Sequence, residues 1–269
     1  MTFKLTPRPE GALTHIASPG ESGLRFLRFS LLLLGHGQRY RFLGSEEERV
    51  LLLMRGECDV QAGEVRFGPL ARPGVFEERA TAVYVPPYLE CSVEASKETE
   101  IAAISALADA RSRPRLVLPV DVNVRHVGRS NWHREVHDVF GTLAGAQRLL
   151  VGETFNPPGN WSSFPPHRHE RDDPPHESRH EEIYHFRFSP PSGFGLQRIY
   201  TDDGEVDESI AIGNRDTVVI PRGYHPVVAA PGYSLYYLWA LAGASKQLAT
   251  HTDPAHSWIQ GNQSREPRG

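Results

Sequence analysis

Apolar residues along this chain gather in short blocks, without the three-to-four-residue spacing that would place them on one face of a helix. Leu24–Leu34, Arg49–Met54, Glu57–Val60, Glu64–Phe67, Ala82–Val85 and Glu90–Glu94 are rich in aliphatic or aromatic residues and predict strands of a first unit. Pro86-Pro87 closes one of them, because proline has no N–H to give to a central ladder. A second series covers Gln147–Phe155, Glu182–Phe188, Gly195–Tyr200, Ser209–Ile212, Thr217–Ile220, Val227–Ala229 and Tyr233–Leu241. Asp202-Asp203-Gly204 and Gly213-Asn214 supply turns between them. Two runs of short strands predict an all-β molecule made of two sandwiches or jelly-roll barrels, since closure protects strand edges.

Ala106–Pro119 reads as the linker, with a boundary near 120 between an N-terminal unit (1–120) and a second unit (121–252). The stretch 253–269 is polar and without period, an expected loose tail or one ordered against a neighbouring copy in a homo-oligomer. Of 269 residues, 39% are hydrophobic, enough for two cores, and Gly 24 with Pro 22 agrees with many tight turns. A net charge of −4 leaves no basic footprint, which argues against nucleic acid as a partner. Two cysteines, Cys58 and Cys91, do not make a disulfide scaffold and fit a reducing compartment. The longest aliphatic run, Leu31–Leu34, is too short to span a membrane, and no signal-peptide pattern opens the chain, so a cytoplasmic protein is expected.

Candidate chemistry concentrates in the second unit. In Pro165-Pro166-His167-Arg168-His169 an extended backbone would put both imidazoles on one side, where they could share one ion. Glu181-Glu182 follows at the start of a strand, and Pro221-Arg222-Gly223-Tyr224-His225 is a turn that delivers a third imidazole. Imidazole with carboxylate suits zinc, manganese, iron, nickel or copper rather than calcium or magnesium. Between the two glutamates, strand alternation favours Glu182, which shares parity with Tyr184, Phe186 and Phe188, over Glu181, which shares it with Ile183, His185 and Arg187. His180 has the parity of Glu182 and competes with it. His176 and Glu170–Asp173 are expected on a surface loop that could fold over the mouth of the site.

These pieces resemble the two motifs of the cupin superfamily: Gly159, His167-x-His169, Glu182 and Gly193, then Pro221-x-Gly223-x-His225. The strings VGRSNWHREVHDVF, PPGNWSSFPPHRHE, EEIYHFRFSPPSGFGLQRIYTDDG, IPRGYHPVVAAPGYSLYYLWALAG and RPGVFEERATAVYVPP are similar to the 5-deoxy-glucuronate isomerases of myo-inositol catabolism. They are more distantly similar to the 4-deoxy-5-ketouronate isomerases of pectin breakdown. The resemblance implies two cupin barrels in one chain and aldose–ketose isomerisation of a deoxy-uronic acid. It also implies one divalent ion, zinc or manganese first and iron or nickel next, on His167, His169, Glu182 and His225. In one departure, twelve residues separate His169 from Glu182, where the usual cupin interval is a few. The first unit resembles a degenerate cupin without metal: it has no His-x-His, and His36 in Gly35-His36-Gly37 reads as a turn residue. That unit is expected to act as scaffold, dimer surface or mouth-forming wall.

For such a reaction the substrate's far carboxylate calls for an arginine fork, and Arg198 and Arg148 are the candidates. Tyr184 and Tyr237 could bond substrate hydroxyls. A base for the C2 proton is sought in Glu208 or Asp207, or in His185 from the other strand face, with Glu208 and Tyr184 assigned to the reaction. An isomerase of a related deoxy-ketouronate, a metal-dependent dioxygenase and a non-catalytic sugar-binding cupin are the competing readings.

Overall fold

The structure, a computed structural model, describes residues 3–6, 11–109, 112–141, 146–244 and 246–261. Residues 262–269 of the expected tail lie outside the described residues. Among the described residues the molecule is all-β apart from short 3-10 turns and one four-residue helix, Trp258–Gly261. Among the described residues no helix is long and apolar enough to cross a membrane.

Each half builds one broad sheet. In the first, Arg115–Val117, Thr81–Val85, Glu47–Ala62, Thr99–Leu107, Leu27–Leu34 and Leu13–Ala17 lie side by side in that order. In the second the order is Lys4–Leu5, Thr217–Ile220, His180–Ser189, Ser234–Gly243, Leu149–Asn156, Arg134–Phe140 and Asn123–Val127. The chain changes sheet between Val117 and Asn123, but Lys4–Leu5 crosses over to pair with Thr217 and Val218 of the second half. A smaller sheet, Trp161–Ser162, Val227–Ala229, Phe194–Tyr200 and Asp207–Gly213, closes the other side of the second half.

The broad sheets are buried on both faces, and this explains the unbroken apolar runs. Along Leu27–Leu34, Phe29 and Leu31 pack into a core shared by both halves, while Leu32 and Leu34 fill the interior of the first. Along Ser234–Gly243, Tyr236, Leu238 and Ala240 face the shared core, and Leu235 and Tyr237 face the interior of the second half. The shared core also takes Val50, Leu52, Tyr84 and Ile104 from the first half and Phe140, Leu149, Val151 and Ile183 from the second.

A reciprocal pair of carboxylates ties the halves together. Glu181 accepts the backbone N–H groups of Arg25, Phe26 and Leu27 at 2.7, 2.7 and 2.6 Å. Glu48 does the same in return for Gln147, Arg148 and Leu149 at 2.6, 2.7 and 2.9 Å. Each carboxylate thus caps the entry to a strand of the other half's broad sheet. A fully buried ion pair, Arg72 with Glu153 at 2.8 Å, also crosses the junction.

Some sequence expectations change. Arg49–Met54 and Glu57–Val60 are one bent strand, Glu47–Ala62, whose register shifts between Leu53 and Arg55 and again between Cys58 and Val60. At the bend Gly56 has φ +108°, and a Cβ there would stand 2.4 Å from the Glu98 carbonyl oxygen. Thr99–Leu107 and Arg134–Phe140 are strands that the sequence reading passed over, the first being alanine-rich and the second charged. Residues 253–261 are held in place: Asp253 N–H donates to the Pro166 carbonyl (2.9 Å) and the Tyr200 hydroxyl to the Asp253 carboxylate (2.6 Å).

Candidate metal centre

The second half encloses a cavity of about 340 Å³, at the small end of the range for small-molecule sites. His167, His169, Glu182, Tyr184 and Tyr237 all line it. His167 and Arg168 form a short strand against His251–Thr252. The intervening Arg168 turns to the opposite side, to Glu177 (3.3 Å), Asp202 and the Tyr224 hydroxyl (3.0 Å). That anchoring holds both histidines toward the interior. Glu182 opens the strand His180–Ser189 beside Ile220 and Leu241, on the same face as Tyr184, Phe186 and Phe188. His225 follows the turn at Gly223, where φ is +96° and a Cβ would meet the Tyr200 carbonyl oxygen at 2.7 Å.

His169, Glu182 and His225, all buried, bring one potential ligand atom each within 4.8 Å of one another. His167 stands beside them, its ring centroid 5.0 Å from that of His225 and 6.5 Å from that of His169. The tautomers follow from the hydrogen bonds. Nδ1–H of His169 donates to the His180 carbonyl and Nδ1–H of His225 to the Gly223 carbonyl, both at 2.9 Å. In the neutral rings this leaves two Nε2 lone pairs, 3.1 and 3.3 Å from Glu182 Oε2. His225 Nε2 is buried without a hydrogen-bond partner. Lone pairs aimed at a carboxylate are satisfied by a proton or by a cation between them, and backbone-fixed imidazoles are the usual support of a metal ligand. The donor set therefore fits a divalent transition metal.

The electrostatics agree. Burial pushes the Glu182 carboxyl up, but His169 and His225 outweigh it and hold the group at about 2. His167 is driven down to about 3, by burial first and then by His225, His169 and Arg134, so its ring is neutral. Burial raises both Tyr184 and Tyr237. Tyr184 Oη hydrogen-bonds Ser163 Oγ (2.7 Å), Tyr237 Oη hydrogen-bonds Ser162 Oγ, and the two rings lie 4.4 Å apart.

Three expected site residues are elsewhere. Arg198 is exposed and forks onto Asp207 at 2.8 and 2.9 Å, because Gly195, Gln197 and Ile199 take the inward positions of its strand. Glu208 is exposed on the neighbouring outer strand. Arg148 lies at the junction of the halves, donating to the Leu107 carbonyl at 2.8 Å, with its guanidinium over Phe26. His185, on the face opposite Glu182, packs 5.1 Å from Phe29 of the first half. None of residues 170–179 lines the cavity: Glu177 accepts the N–H groups of Glu170 and Arg171 and folds that loop back on itself. No described residue before Arg125 lines it either, so the described part of the first half forms no wall of this cavity. Arg134 and, from the expected tail, Gln260 do line it, and sequence reasoning had singled out neither.

The KduI/IolB family model matches residues 4–259. The chain belongs to the KduI/IolB family. Among curated KduI/IolB relatives, the 5-deoxy-glucuronate isomerase of Geobacillus kaustophilus is 38% identical over 256 residues, covering 94% of this chain and 92% of that protein. The Bacillus subtilis (strain 168) protein of the same name is 34% identical over 250 residues, 92% of each. The crystal structure of an IolB-like protein from Salmonella typhimurium superposes with TM-score 0.93 at 35% identity, over 97% of this chain and all of that one. A Bacillus subtilis oxalate decarboxylase variant superposes at 0.64 with 11% identity, covering 99% of this chain and 85% of that one, a likeness of fold alone. The fold expected for this KduI/IolB chain, all-β with two cupin barrels, holds.

Proposed function

We propose that the chain is an aldose–ketose isomerase that converts 5-deoxy-glucuronate to 5-dehydro-2-deoxy-gluconate, with a divalent ion held by His167, His169, Glu182 and His225. The observation that carries this reading is the convergence of two backbone-oriented imidazoles on a buried carboxylate that lines a sugar-sized cavity, in a chain whose curated relatives bear that isomerase name. Zinc or manganese suits the donors best, and iron or nickel next.

When bound, the ion would supply a Lewis acid for the sugar carbonyl. Tyr184 and Tyr237 remain protonated at neutral pH and offer hydroxyls to the sugar, held in place by Ser163 and Ser162. Trp132, Phe164 and Trp239 give the cavity an aromatic wall. Glu182 is the one carboxylate among the described lining residues, so Glu208 and Asp207 do not serve as the base. A proton moving between C2 and C1 would pass through hydroxyl or imidazole groups; otherwise the hydrogen moves as hydride.

The test is turnover of 5-deoxy-glucuronate under anaerobic conditions by metal-loaded protein, with 4-deoxy-5-ketouronate in parallel. Chelation should abolish activity and re-addition of zinc or manganese should restore it. Turnover that survives complete removal of metal would sink the reading. In deuterated water, solvent deuterium at C1 marks the proton route and its absence the hydride route.

A further inference from the structure

Among the described residues the buried arginines follow one rule with one exception. Arg49, Arg72 and Arg168 each have a carboxylate within ion-pair distance: Glu47 at 3.8 Å, Glu153 at 2.8 Å and Glu177 at 3.3 Å. Arg134 is also buried, 8% exposed, and has no acidic partner among the described residues. Its Nη1 donates to the backbone carbonyls of Trp132 (3.3 Å) and Phe164 (3.0 Å). Those bonds orient the guanidinium without neutralising it; Nε and Nη2 have no protein partner among the described residues, and neither is sealed from solvent. Arg134 also lines the cavity that holds His167, His169, Glu182 and both tyrosines. The other arginine there, Arg125, is already spent on a two-point bond to Asp138 at 2.7 and 2.8 Å.

A guanidinium fixed in a cavity wall without an acidic partner is only partly hydrated, and an anion that enters the cavity gains a charge-assisted bond to it. We propose that Arg134 binds the substrate's terminal carboxylate, opposite the end at which the carbonyl meets the His169–Glu182–His225 cluster. The proposal rests on the isomerase reading for the substrate's identity, but its anion chemistry stands on the cavity alone. Burial is the main influence on Arg134 and lowers its pKa, yet a guanidinium remains charged at any physiological pH. The planar fork explains a preference for carboxylate over the hydroxymethyl group of a neutral sugar. Arg134 thus takes the part for which Arg198 and Arg148 were candidates.

The experiment compares wild type, Arg134→Gln and Arg134→Lys on 5-deoxy-glucuronate and on 5-deoxy-glucose, which has a hydroxymethyl group in place of the carboxylate. Metal content and thermal melting are recorded for each. Wild type should favour the acid. Arg134→Gln should lose about 100-fold in kcat/KM on the acid, mainly through KM, and change little on the neutral sugar. Arg134→Lys, which keeps the charge but loses the fork, should fall between them. Equal losses on both sugars, or none on the acid, overturn the proposal. If wild type turns over neither sugar, the isomerase reading fails and calorimetry with glucuronate decides Arg134 separately. Binding that Arg134→Gln abolishes supports the anion site, whereas binding that it leaves unchanged, or no binding to wild type, overturns it.

Discussion

Arg198, Glu208 and His225 show how little residue type reveals without its face. Arg198 and Glu208 have the chemistry a uronate isomerase needs, yet both stand on the outer face of the small sheet, in solvent. Arg198→Ala and Glu208→Gln are therefore expected to keep kcat/KM within about twofold and metal content unchanged, as is usual for surface changes. His225→Ala or Glu182→Gln should lower metal affinity by more than about 100-fold, read by metal analysis of the folded protein after dialysis. Retention of metal by both would remove this cluster as the ion's site. Arg134 was illegible for a related reason. The run Arg134-Glu135-Val136-His137-Asp138 is so charged that it reads as surface, yet its first residue is buried and bound to the Trp132 and Phe164 carbonyls.

At the scale of the element, His180–Ser189 is the instructive strand. Alternation alone assigns Glu182 to one face and Glu181 to the other, and the structure keeps that division. The sequence could not say that the face of Glu181, Ile183, His185 and Arg187 is itself buried, against the first half, because its first-half partners lie more than eighty residues away. Glu181 holds three N–H groups of the incoming strand at Leu27, and Glu48 repeats the arrangement at Leu149. Removing either carboxylate strands buried donors, so Glu181→Ala and Glu48→Ala should each cost on the order of 3–5 kcal/mol, as measured by urea unfolding. A loss below about 1 kcal/mol would mean that water or neighbouring groups replace the carboxylate.

For the whole molecule, the junction carries titratable groups that link its stability to acid. His185 is fully buried there: Nδ1–H donates to Thr217 Oγ1 (2.8 Å), and Nε2 accepts from Arg187, which in turn binds Glu100 of the first half at 2.8 Å. Burial, then Arg187 and Arg215, hold its pKa well below the ordinary 6.5. The unfolded chain thus takes up this proton before the folded one does. Stability is complete above about 6.5 and declines as pH falls toward the folded value, by about 1.4 kcal/mol per pH unit for this group. Urea titrations between pH 6.5 and 5 should show that Asn at this position, His185→Asn, removes one proton's worth of slope. Identical slopes for the two proteins would exclude His185 as the linked group.

The sequence by itself determined what is local. Short apolar blocks, turn residues and period-two alternation define strands, and alternation with motif spacing brings out His167, His169, Glu182 and His225 as candidate donors, because these features depend on neighbours a few positions away. The tertiary structure alone decided which second faces are covered. It joined two predicted strands into the bent Glu47–Ala62, drew residues 253–261 against the second barrel, and sent Arg198, Glu208 and Arg148 away from the cavity while burying Arg134 in its wall. Burial of a charge is a property of whatever packs over it. For Arg134 that cover includes Phe164, thirty residues further along the chain.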